Sequence, residues 1–295
     1  MGYMHINNLY KDQRILMFRE CFALEKIHGT SAHVAWRDNG VHFSSGGEKH
    51  DRFAKLFDEL KLRELFAALG HDGVIVYGEA YGGSQQGQKW RYGESLRFVA
   101  FEVEIGGIFL AVPQAHDVAT KLGLEFVHYA KVSTDLVALD AERDAPSEQA
   151  KRNGVVDSDK PREGVVLRPL IELKDNGGGR IIAKHKRDDE RETASPRKVV
   201  DPDKLQVLTR ATEIADEWVT PTRLAHVLDK LDPNAGIERM RDVIAAMTED
   251  VMREGAGEIV DSREARAAIG KKTAEVFKAR LQSALRASAT AASSQ

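Results

Sequence analysis

The chain lacks the features that several protein classes require. Among its 295 residues, Cys21 is the only cysteine, which excludes an internal disulfide framework and a zinc-ribbon site and favours a reducing compartment. No apolar run approaches the roughly 20 residues that a membrane helix needs, and the N-terminus lacks a signal-peptide pattern. We therefore expect a cytoplasmic protein that does not associate with a membrane.

Two common nucleotide-binding motifs are also missing. The glycine-rich stretches at 46–47, 82–83 and 177–179 do not form a Walker motif, and no GxGxxG sequence opens a helix, so a P-loop or Rossmann enzyme is disfavoured. The net charge is only −3. A polyanionic partner would therefore have to be bound by a local basic patch rather than by the charge of the whole protein.

What is present divides the chain into two parts. Up to residue 198, strand-like runs dominate and predict an α+β domain, with a hairpin at Asn39-Gly40 and a second between 164–173 and 180–186. Apolar residues at helical spacing predict helices over 53–66 and 118–124. The polar stretch 140–162 reads as an exposed connector.

From residue 199 to 287 the apolar spacing is helical throughout and predicts an all-helical domain. Prolines at 196 and 202 mark a linker before it. Asp201, Thr220 and Asp261 are predicted N-caps, because Asp and Thr side chains accept from the free amides of a helix start. Residues 288–295, rich in alanine and serine, are predicted to be a disordered tail.

The stretch Leu24-Glu25-Lys26-Ile27-His28-Gly29-Thr30 is where chemistry is first indicated. Lys26 ends an apolar, strand-like run and is followed by a glycine turn, which would expose its amine. A lysine amine is a nucleophile only when neutral, a state favoured by desolvation or by nearby cations. The alternative is an ordinary solvated lysine. His28 could contact a phosphate or be a hydrogen-bonded structural histidine.

Downstream clusters supply the groups that such a lysine would need. Strand alternation places Arg180, Ile182, Lys184 and Lys186 on one face, so the two lysines could neutralise a triphosphate and favour a neutral amine nearby. The alternative is a charged strand end that leads into solvent.

Two carboxylates and two aromatic residues complete the set. Glu79 and Glu163 lie at strand ends beside glycine, where they could hold a ribose or Mg²⁺, although each alone could be a surface residue. Phe98 and Phe101 could stack on a base or belong to the core.

Taken in order, these segments resemble the covalent nucleotidyltransferase superfamily of ATP-dependent ligases and capping enzymes, most closely its RNA ligase 2-like family. The resemblance covers roughly residues 20–190. It implies a mainly antiparallel-sheet nucleotidyltransferase domain of the ATP-grasp-like ligase type, followed by a helical domain. The matching segments are Glu25 to Thr30, Tyr77-Gly78-Glu79, Phe101-Glu102, Glu163 to Val166 and Lys184-His185-Lys186.

The resemblance also implies roles. Lys26 would attack the α-phosphorus of ATP to give lysyl-AMP, with Mg²⁺, or Mn²⁺ in its place, and Lys186 stabilising the phosphate. AMP would pass to an RNA 5′-phosphate, and a 3′-hydroxyl would then seal the strand, for example in a nicked duplex during RNA repair. We expect a monomer. The remaining implied roles are phosphate contact by Lys184, nucleotide contact by Glu25 (through its backbone), Ile27 and His28, ribose binding by Glu79, adenine stacking by Phe101, and metal binding by Glu163 and, secondarily, Glu102.

The chain departs from the family pattern at two places. Ser31 stands where the family usually has asparagine, and Ser44 to Gly47 replace a usual basic residue, for which Lys49 or Arg52 could substitute. These positions serve the later, nucleic-acid steps in the family. Two alternatives therefore stay open: a capping-type nucleotidyltransferase with another acceptor, and a non-catalytic RNA-binding module on the same scaffold.

Overall fold

The first part of the chain is built on two antiparallel sheets, and the candidate site residues lie on their strands or in the segments next to them. The computed structural model describes residues 2–155, 160–195, 198–199 and 210–292. The chain divides into two units, Met1–Arg187 and Asp188–Gln295, close to the predicted boundary at 198. The strands of the first unit are β1 Glu20–Glu25, β2 Thr30–Arg37, β3 Gly40–Ser45, β4 Val74–Tyr81, β5 Arg97–Ile105, β6 Ile108–Phe109, β7 Tyr129–Ser133, β8 Gly164–Arg168 and β9 Ala183–Lys186.

The larger sheet has the strand order β3-β2-β4-β5-β6, with every pair antiparallel. The predicted hairpin is confirmed: Arg37 pairs with Gly40, and the two residues between them adopt positive φ angles, as a two-residue hairpin loop requires. Alternate side chains of β2 and β4 enter the main hydrophobic core, where Trp36 stacks on Phe66 at 5.9 Å between ring centroids. One face of this sheet is therefore buried.

The helices of the first unit lie between its strands in sequence. Their bounds are α1 His50–Ala54, α2 Glu59–Leu69, α3 Lys89–Tyr92, α4 Val112–Lys121, α5 Leu136–Asp144 and α6 Glu148–Arg152. The predicted helices near 53–66 and 118–124 correspond to α1, α2 and α4. The prediction of an exposed connector at 140–162 is wrong in part, because α5 ends and α6 lies within it, and Gln149 and Ala150 are buried. Residues 156–159 lie outside the described residues.

The smaller sheet has the order β7-β1-β8-β9, again antiparallel. The predicted hairpin of 164–173 and 180–186 is present, but its paired strands are shorter, β8 and β9. Pro169 follows β8 directly and has no amide hydrogen to donate to a neighbouring strand. At the outer edge of β9, Lys184 exchanges two backbone hydrogen bonds with the segment around Asn7, each under 3 Å. This segment covers the sheet edge.

The second unit contains four α-helices within its described residues: α7 Ala211–Trp218, α8 Pro221–Leu231, α9 Met240–Glu254 and α10 Arg263–Ala292. They share a separate hydrophobic core around Trp218, Met247 and Phe277. Thr220 caps α8 as predicted, since its hydroxyl accepts from the amide of Arg223 at 3.2 Å.

Other predictions for this unit differ from the structure. Ser262, not Asp261, accepts from the first turn of α10, while Asp261 pairs with Arg266. Helix α10 runs to Ala292, and the disordered tail at 288–295 stays a prediction. The predicted N-cap Asp201 and the prolines at 196 and 202 lie outside the described residues. Every described helix is too short or too polar to cross a membrane.

Candidate active site

The Lys26 turn connects the two sheets of the first unit. β1 ends at Glu25 and β2 begins at Thr30, so Lys26 to Gly29 form the crossing. Gly29 passes directly against β4: a Cβ atom there would lie 2.4 Å from the carbonyl oxygen of Ala80 and 2.9 Å from the Glu79 side chain. Only glycine fits this approach. The turn thereby places Gly29, three residues after Lys26, against Glu79 on the larger sheet.

Strand register places Lys184 and Lys186 on one face of the smaller sheet, and a backbone hydrogen bond joins Lys26 to β8 of the same sheet. The Lys26 amide donates to the Gly164 carbonyl at 3.0 Å. On the next strand Gly164 lies opposite Lys186, and Val166 lies opposite Lys184. Because side chains alternate along a strand, Lys184 and Lys186 share a face, as predicted. Arg180 and Ile182, which were predicted for the same face, precede β9. Leu24, two residues before Lys26, is paired with Val166 and lies in the same row as Lys184.

Glu163 joins two of these lysines. Its Oε2 lies 2.9 Å from Nζ of Lys26 and its Oε1 lies 2.9 Å from Nζ of Lys186. The carboxylate is 1% exposed, while the Lys26 side chain is 24% exposed and so open to a ligand. A buried carboxylate is stable only when paired. The cluster therefore consists of two lysine amines around one carboxylate, at the start of the Lys26 turn.

Gly164 is what allows this compactness. A Cβ atom at position 164 would lie 2.2 Å from the carbonyl oxygen of His185 and 2.7 Å from the Cα of Lys186. Its φ of 151° also belongs to a region that L-residues rarely adopt. The glycine after Glu163 therefore lets β8 and β9 come together where the cluster forms.

The side chain of Glu25, next to Lys26, is buried and forms hydrogen bonds within the fold. Its buried carboxylate accepts from the hydroxyl of Ser147 at 2.5 Å and from the amides of Glu148 and Gln149 at 3.0 and 3.2 Å. These contacts satisfy the start of α6. Burial raises the pKa of the Glu25 carboxyl, and the hydrogen bond from Ser147 and the charge of Arg162 oppose that rise. The side chain thus anchors the end of β1. The Glu25 amide donates to the carbonyl of His128 at 2.8 Å, so the predicted backbone contact with the nucleotide would have to use the Glu25 carbonyl.

The neighbours of Lys26 differ in their surroundings. The side chain of Ile27 is 4% exposed and belongs to the hydrophobic core, so its predicted nucleotide contact would have to use its main chain. His28 is also buried; its Nε2 lies 3.1 Å from Oε1 of Gln86, and its amide donates to the hydroxyl of Tyr92 at 3.2 Å. Glu79 is half-buried on β4, opposite Ser31 on β2.

The two aromatic residues considered as candidates for adenine stacking, Phe98 and Phe101, lie in different surroundings. Phe98 is buried among Phe53 and Phe57, so it is a core residue. Phe101 is the extra residue of a β-bulge, because Tyr77 pairs with Glu102 while Gly78 pairs with Ala100. A bulge re-aims the side chain that it carries. The Phe101 ring is half-buried and meets Tyr3 edge-on at 4.9 Å.

Glu102 does not have the surroundings of a metal ligand. Its carboxylate is fully buried. One oxygen lies 2.7 Å from Arg168, and the other lies 2.8 Å from Arg180 and accepts from the hydroxyl of Tyr3 at 2.9 Å. Guanidinium groups thus use both oxygens, which argues against the predicted secondary metal role. Sequence could not show this, because the partners come from distant segments.

The residues predicted to contact nucleic acid are all exposed. Ser31 lies at the start of β2, and its carbonyl accepts from the amide of Gly46 at 2.9 Å. Lys49 precedes the first turn of α1, and Arg52 lies within that helix. Arg52 is 3.5 Å from Glu48, so one of the two basic side chains that could replace the missing family residue is already paired with a carboxylate.

A divalent cation fits this site only together with a ligand. Among the described residues, no group of three or more histidine, cysteine, aspartate or glutamate side chains could hold a metal. Mg²⁺ is usually bound by one or two carboxylates plus substrate phosphates and water. Glu163 provides one carboxylate beside Lys26. The donor set therefore suits a metal–nucleotide complex and not a metal site built from protein alone.

Sequence reasoning missed three contributors to the site. Ser147 binds Glu25, Gln86 binds His28, and Tyr3 contacts both Phe101 and Glu102. Each belongs to a segment whose sequence indicates a loop, arm or connector, and each acts across a long sequence separation. The glycines around Gln86 mark a loop but give no indication of what it touches.

A family model and several solved structures match this chain. The family model described as RNA ligase matches residues 19–186, more than half of the chain. Two similar solved structures are of the Naegleria gruberi RNA ligase. A lysine-to-alanine mutant with ATP and Mn shares 14% identity, with a TM-score of 0.50, over 64% of this chain and 57% of that one. The form with PPi shares 15% identity, with a TM-score of 0.50, over 64% and 56%.

These structural matches show the fold alone, because the identities are low. The chain spans a little over half the length of the ligase that it matches. A search of curated protein sequences found no match. The α+β architecture, with antiparallel sheets followed by a helical region, is the predicted fold class and is confirmed.

Proposed function

Because this chain belongs to the RNA ligase family, we propose that it is an ATP-dependent RNA ligase whose nucleophile is Lys26. The observation that carries the proposal is the cluster in which Glu163 lies 2.9 Å from both Lys26 and Lys186. Exposed lysines such as Lys131 pair with exposed carboxylates, whereas the carboxylate that joins Lys26 and Lys186 is buried. The similar Naegleria gruberi ligase mutant was solved with ATP and Mn, which supports ATP and a divalent ion as ligands here.

In the first step the neutral Nζ of Lys26 attacks the α-phosphorus of ATP. An N–P bond forms, the bond from that phosphorus to the bridging oxygen breaks, and pyrophosphate leaves. Lys186 and Lys184, on the same sheet face, would stabilise the negative charge of the phosphates. A divalent ion held by Glu163 and the nucleotide would neutralise further phosphate charge. Glu163 must turn from Lys26 for attack, since a paired ammonium is not a nucleophile.

The adenosine would be held by the larger sheet and the turn. Glu79, which lies against Gly29, would bind the ribose hydroxyls, and Phe101 would stack on adenine from the bulge of β5. The main chain at Glu25 and Ile27 would contact the base edge. Supporting observations are the glycine-only approach at position 29 and the bulge at Phe101, whose ring is half-buried at the border of the core, whereas that of Phe98 is buried within it.

In the second step a 5′-phosphate oxygen of RNA attacks the phosphorus of lysyl-AMP, which forms a pyrophosphate link and releases the Lys26 amine. In the third, a 3′-hydroxyl attacks the RNA phosphate, and AMP leaves. Exposed Ser31, Lys49 and Arg52 would contact the RNA. We further propose membership of the RNA ligase 2-like group, supported by the Glu25 to Thr30 motif and by the helical second unit, and action as a monomer.

Strand joining tests the proposal. RNA with a labelled 5′-phosphate would be offered as single strand, splinted strand and nicked duplex, with ATP or GTP and Mg²⁺. We expect adenylylated RNA and a longer sealed product with ATP. Lys26→Ala should form neither, whereas Lys131→Ala should behave like the wild type, since Lys131 is an exposed lysine of the same sheet that pairs with Glu20.

The other hypotheses give different results. Nucleotide transfer with GTP alone, without sealing, would favour a capping-type enzyme. RNA binding with neither adenylylated RNA nor sealed product would favour a non-catalytic RNA-binding module.

A further inference from the structure

A loop between β4 and β5 holds the Lys26 turn. This segment, Gly82 to Gly93, has five residues with positive φ angles, of which four are glycines: Gly82, Gly83, Gly87 and Gly93. The fifth is Gln86, at φ 49° and ψ 21°. Glycine adopts this conformation without steric strain, whereas glutamine does not. A glutamine kept in a left-handed position, in a loop that uses glycine elsewhere, indicates that its side chain has a function.

The Gln86 amide contacts two consecutive residues of the Lys26 turn. Its Nε2 donates to the carbonyl of Gly29 at 3.0 Å, and its Oε1 lies 3.1 Å from Nε2 of His28. The loop makes a third contact, in which the hydroxyl of Tyr92 accepts from the His28 amide at 3.2 Å. The loop therefore fixes both the backbone and the ring of the residue two positions after Lys26.

The two amide contacts together assign the protons of the histidine ring. The Gly29 carbonyl can only accept, so the amide nitrogen of Gln86 must face it. The amide oxygen then faces His28, and it can only accept from Nε2–H. A neutral His28 therefore carries its proton on Nε2 and has an accepting lone pair on Nδ1. In this state Nδ1 could accept from a hydroxyl, and it could donate to a phosphate only in the cationic ring.

We propose that Gln86 is a positioning residue that fixes the orientation and the Nε2–H tautomer of His28 for nucleotide transfer to Lys26. The contact of His28 with the nucleotide is a role that the family resemblance implies, and it rests on the proposed function. The tautomer itself rests only on hydrogen-bond geometry. Gln86 acts through His28 and need not touch ATP. A merely structural residue would instead hold the loop in place, and its loss would be measured as lost stability.

Substitution by glycine separates these two roles. Gln86→Gly removes the amide but relieves the left-handed backbone, so we expect a melting temperature equal to or above that of the wild type. The single-turnover rate of Lys26 adenylylation should nevertheless fall about tenfold, as expected for the loss of a hydrogen bond that orients a reacting group. Gln88→Ala is the matched control, because it removes a glutamine side chain from the same loop without touching His28.

The tautomer is measured directly by ¹⁵N NMR of the imidazole nitrogens, assigned to His28 with a His28→Asn variant. The wild type should show a proton on Nε2, and Gln86→Gly should show a mixture of tautomers. Gln86→Glu keeps an acceptor for Nε2–H and should retain the wild-type tautomer.

The inference is overturned if Gln86→Gly keeps the wild-type tautomer, or if it adenylylates Lys26 at the wild-type rate. Failure of the proposed function has a different signature. In that case the wild type itself forms no adduct, while the NMR experiment still decides whether Gln86 sets the tautomer.

Discussion

Removal of the Glu102 carboxylate should destabilise the first unit strongly. Arg168 and Arg180 lie 2.7 and 2.8 Å from it, and Glu102→Ala would leave both guanidinium groups to share Glu172. Breaking a buried charge pair typically costs about 3–5 kcal/mol. Because Glu172 still compensates part of the charge, we expect the lower end, about 3 kcal/mol. For a unit of this size, that corresponds to a melting temperature about 6–12 °C lower.

Urea denaturation followed by tryptophan fluorescence would measure this loss. In a Trp218→Phe background the remaining tryptophans, Trp36 and Trp90, both belong to the first unit. Glu104→Ala is the matched control on the same strand. Glu104 is half-buried and accepts a hydrogen bond from Tyr77 at 3.1 Å, so its loss should cost no more than about 1 kcal/mol.

Two results would refute this reasoning. A free energy of unfolding for Glu102→Ala within about 1 kcal/mol of the wild type would show that the cluster is not a buried charge network. If Glu102→Ala left the stability unchanged but raised the divalent-ion concentration needed for adenylylation, Glu102 would be a metal ligand after all.

Three further predictions concern the smaller sheet and pH. Glu163→Gln should raise the Mg²⁺ concentration for half-maximal adenylylation at least about tenfold, and an unchanged titration would remove Glu163 from metal binding. Gly164→Ala, whose Cβ would meet the His185 carbonyl at 2.2 Å, should destabilise the first unit by about 1–3 kcal/mol; an unchanged urea midpoint would contradict the close approach. Burial lowers the pKa of His33, His128 and His185 below the ordinary 6.5. The unfolded chain therefore binds more protons in that range, and the free energy of unfolding should fall as pH drops through about 6.5. His185→Gln should weaken the dependence, and a slope equal to that of the wild type would contradict it.

Local sequence patterns predicted much of the site. The alternation that put Lys184 and Lys186 on one face needs only the two-residue period of a strand. The position of Lys26 followed from an apolar run ending before glycine. The helical spacing over 199–287 likewise predicted a helical region after the sheets, because an amphipathic helix shows its buried face in sequence.

The partners of these residues could not be predicted in the same way. Glu25 and Glu102 are both carboxylates within the motif segments, yet one accepts from the first amides of α6 and the other binds two arginines. Those contacts are made across more than 60 residues of chain. The periodicity of apolar residues indicates which face of a helix or strand is buried. It does not indicate which residue of another segment contacts that face. Short helices such as α6, with few apolar residues, give too weak a period to recognise.

The strained Gln86 shows the same limit. A glycine-rich loop predicts turns, but the contact with His28 depends on where β4 and β5 place that loop. Position 86 has a left-handed backbone, which glycine would adopt with less strain than glutamine. The sequence alone does not show this, because the backbone angle has to be known first.

The central claim is that Lys26 takes up AMP. The most direct measurement is to incubate the protein with ATP and Mg²⁺, denature it, digest it, and locate the added mass by tandem mass spectrometry. We predict AMP on the peptide that contains Lys26, linked to its Nζ, and no adduct at that position in Lys26→Ala. Label on another residue, or no covalent AMP at all under conditions where the protein is folded, would contradict the claim.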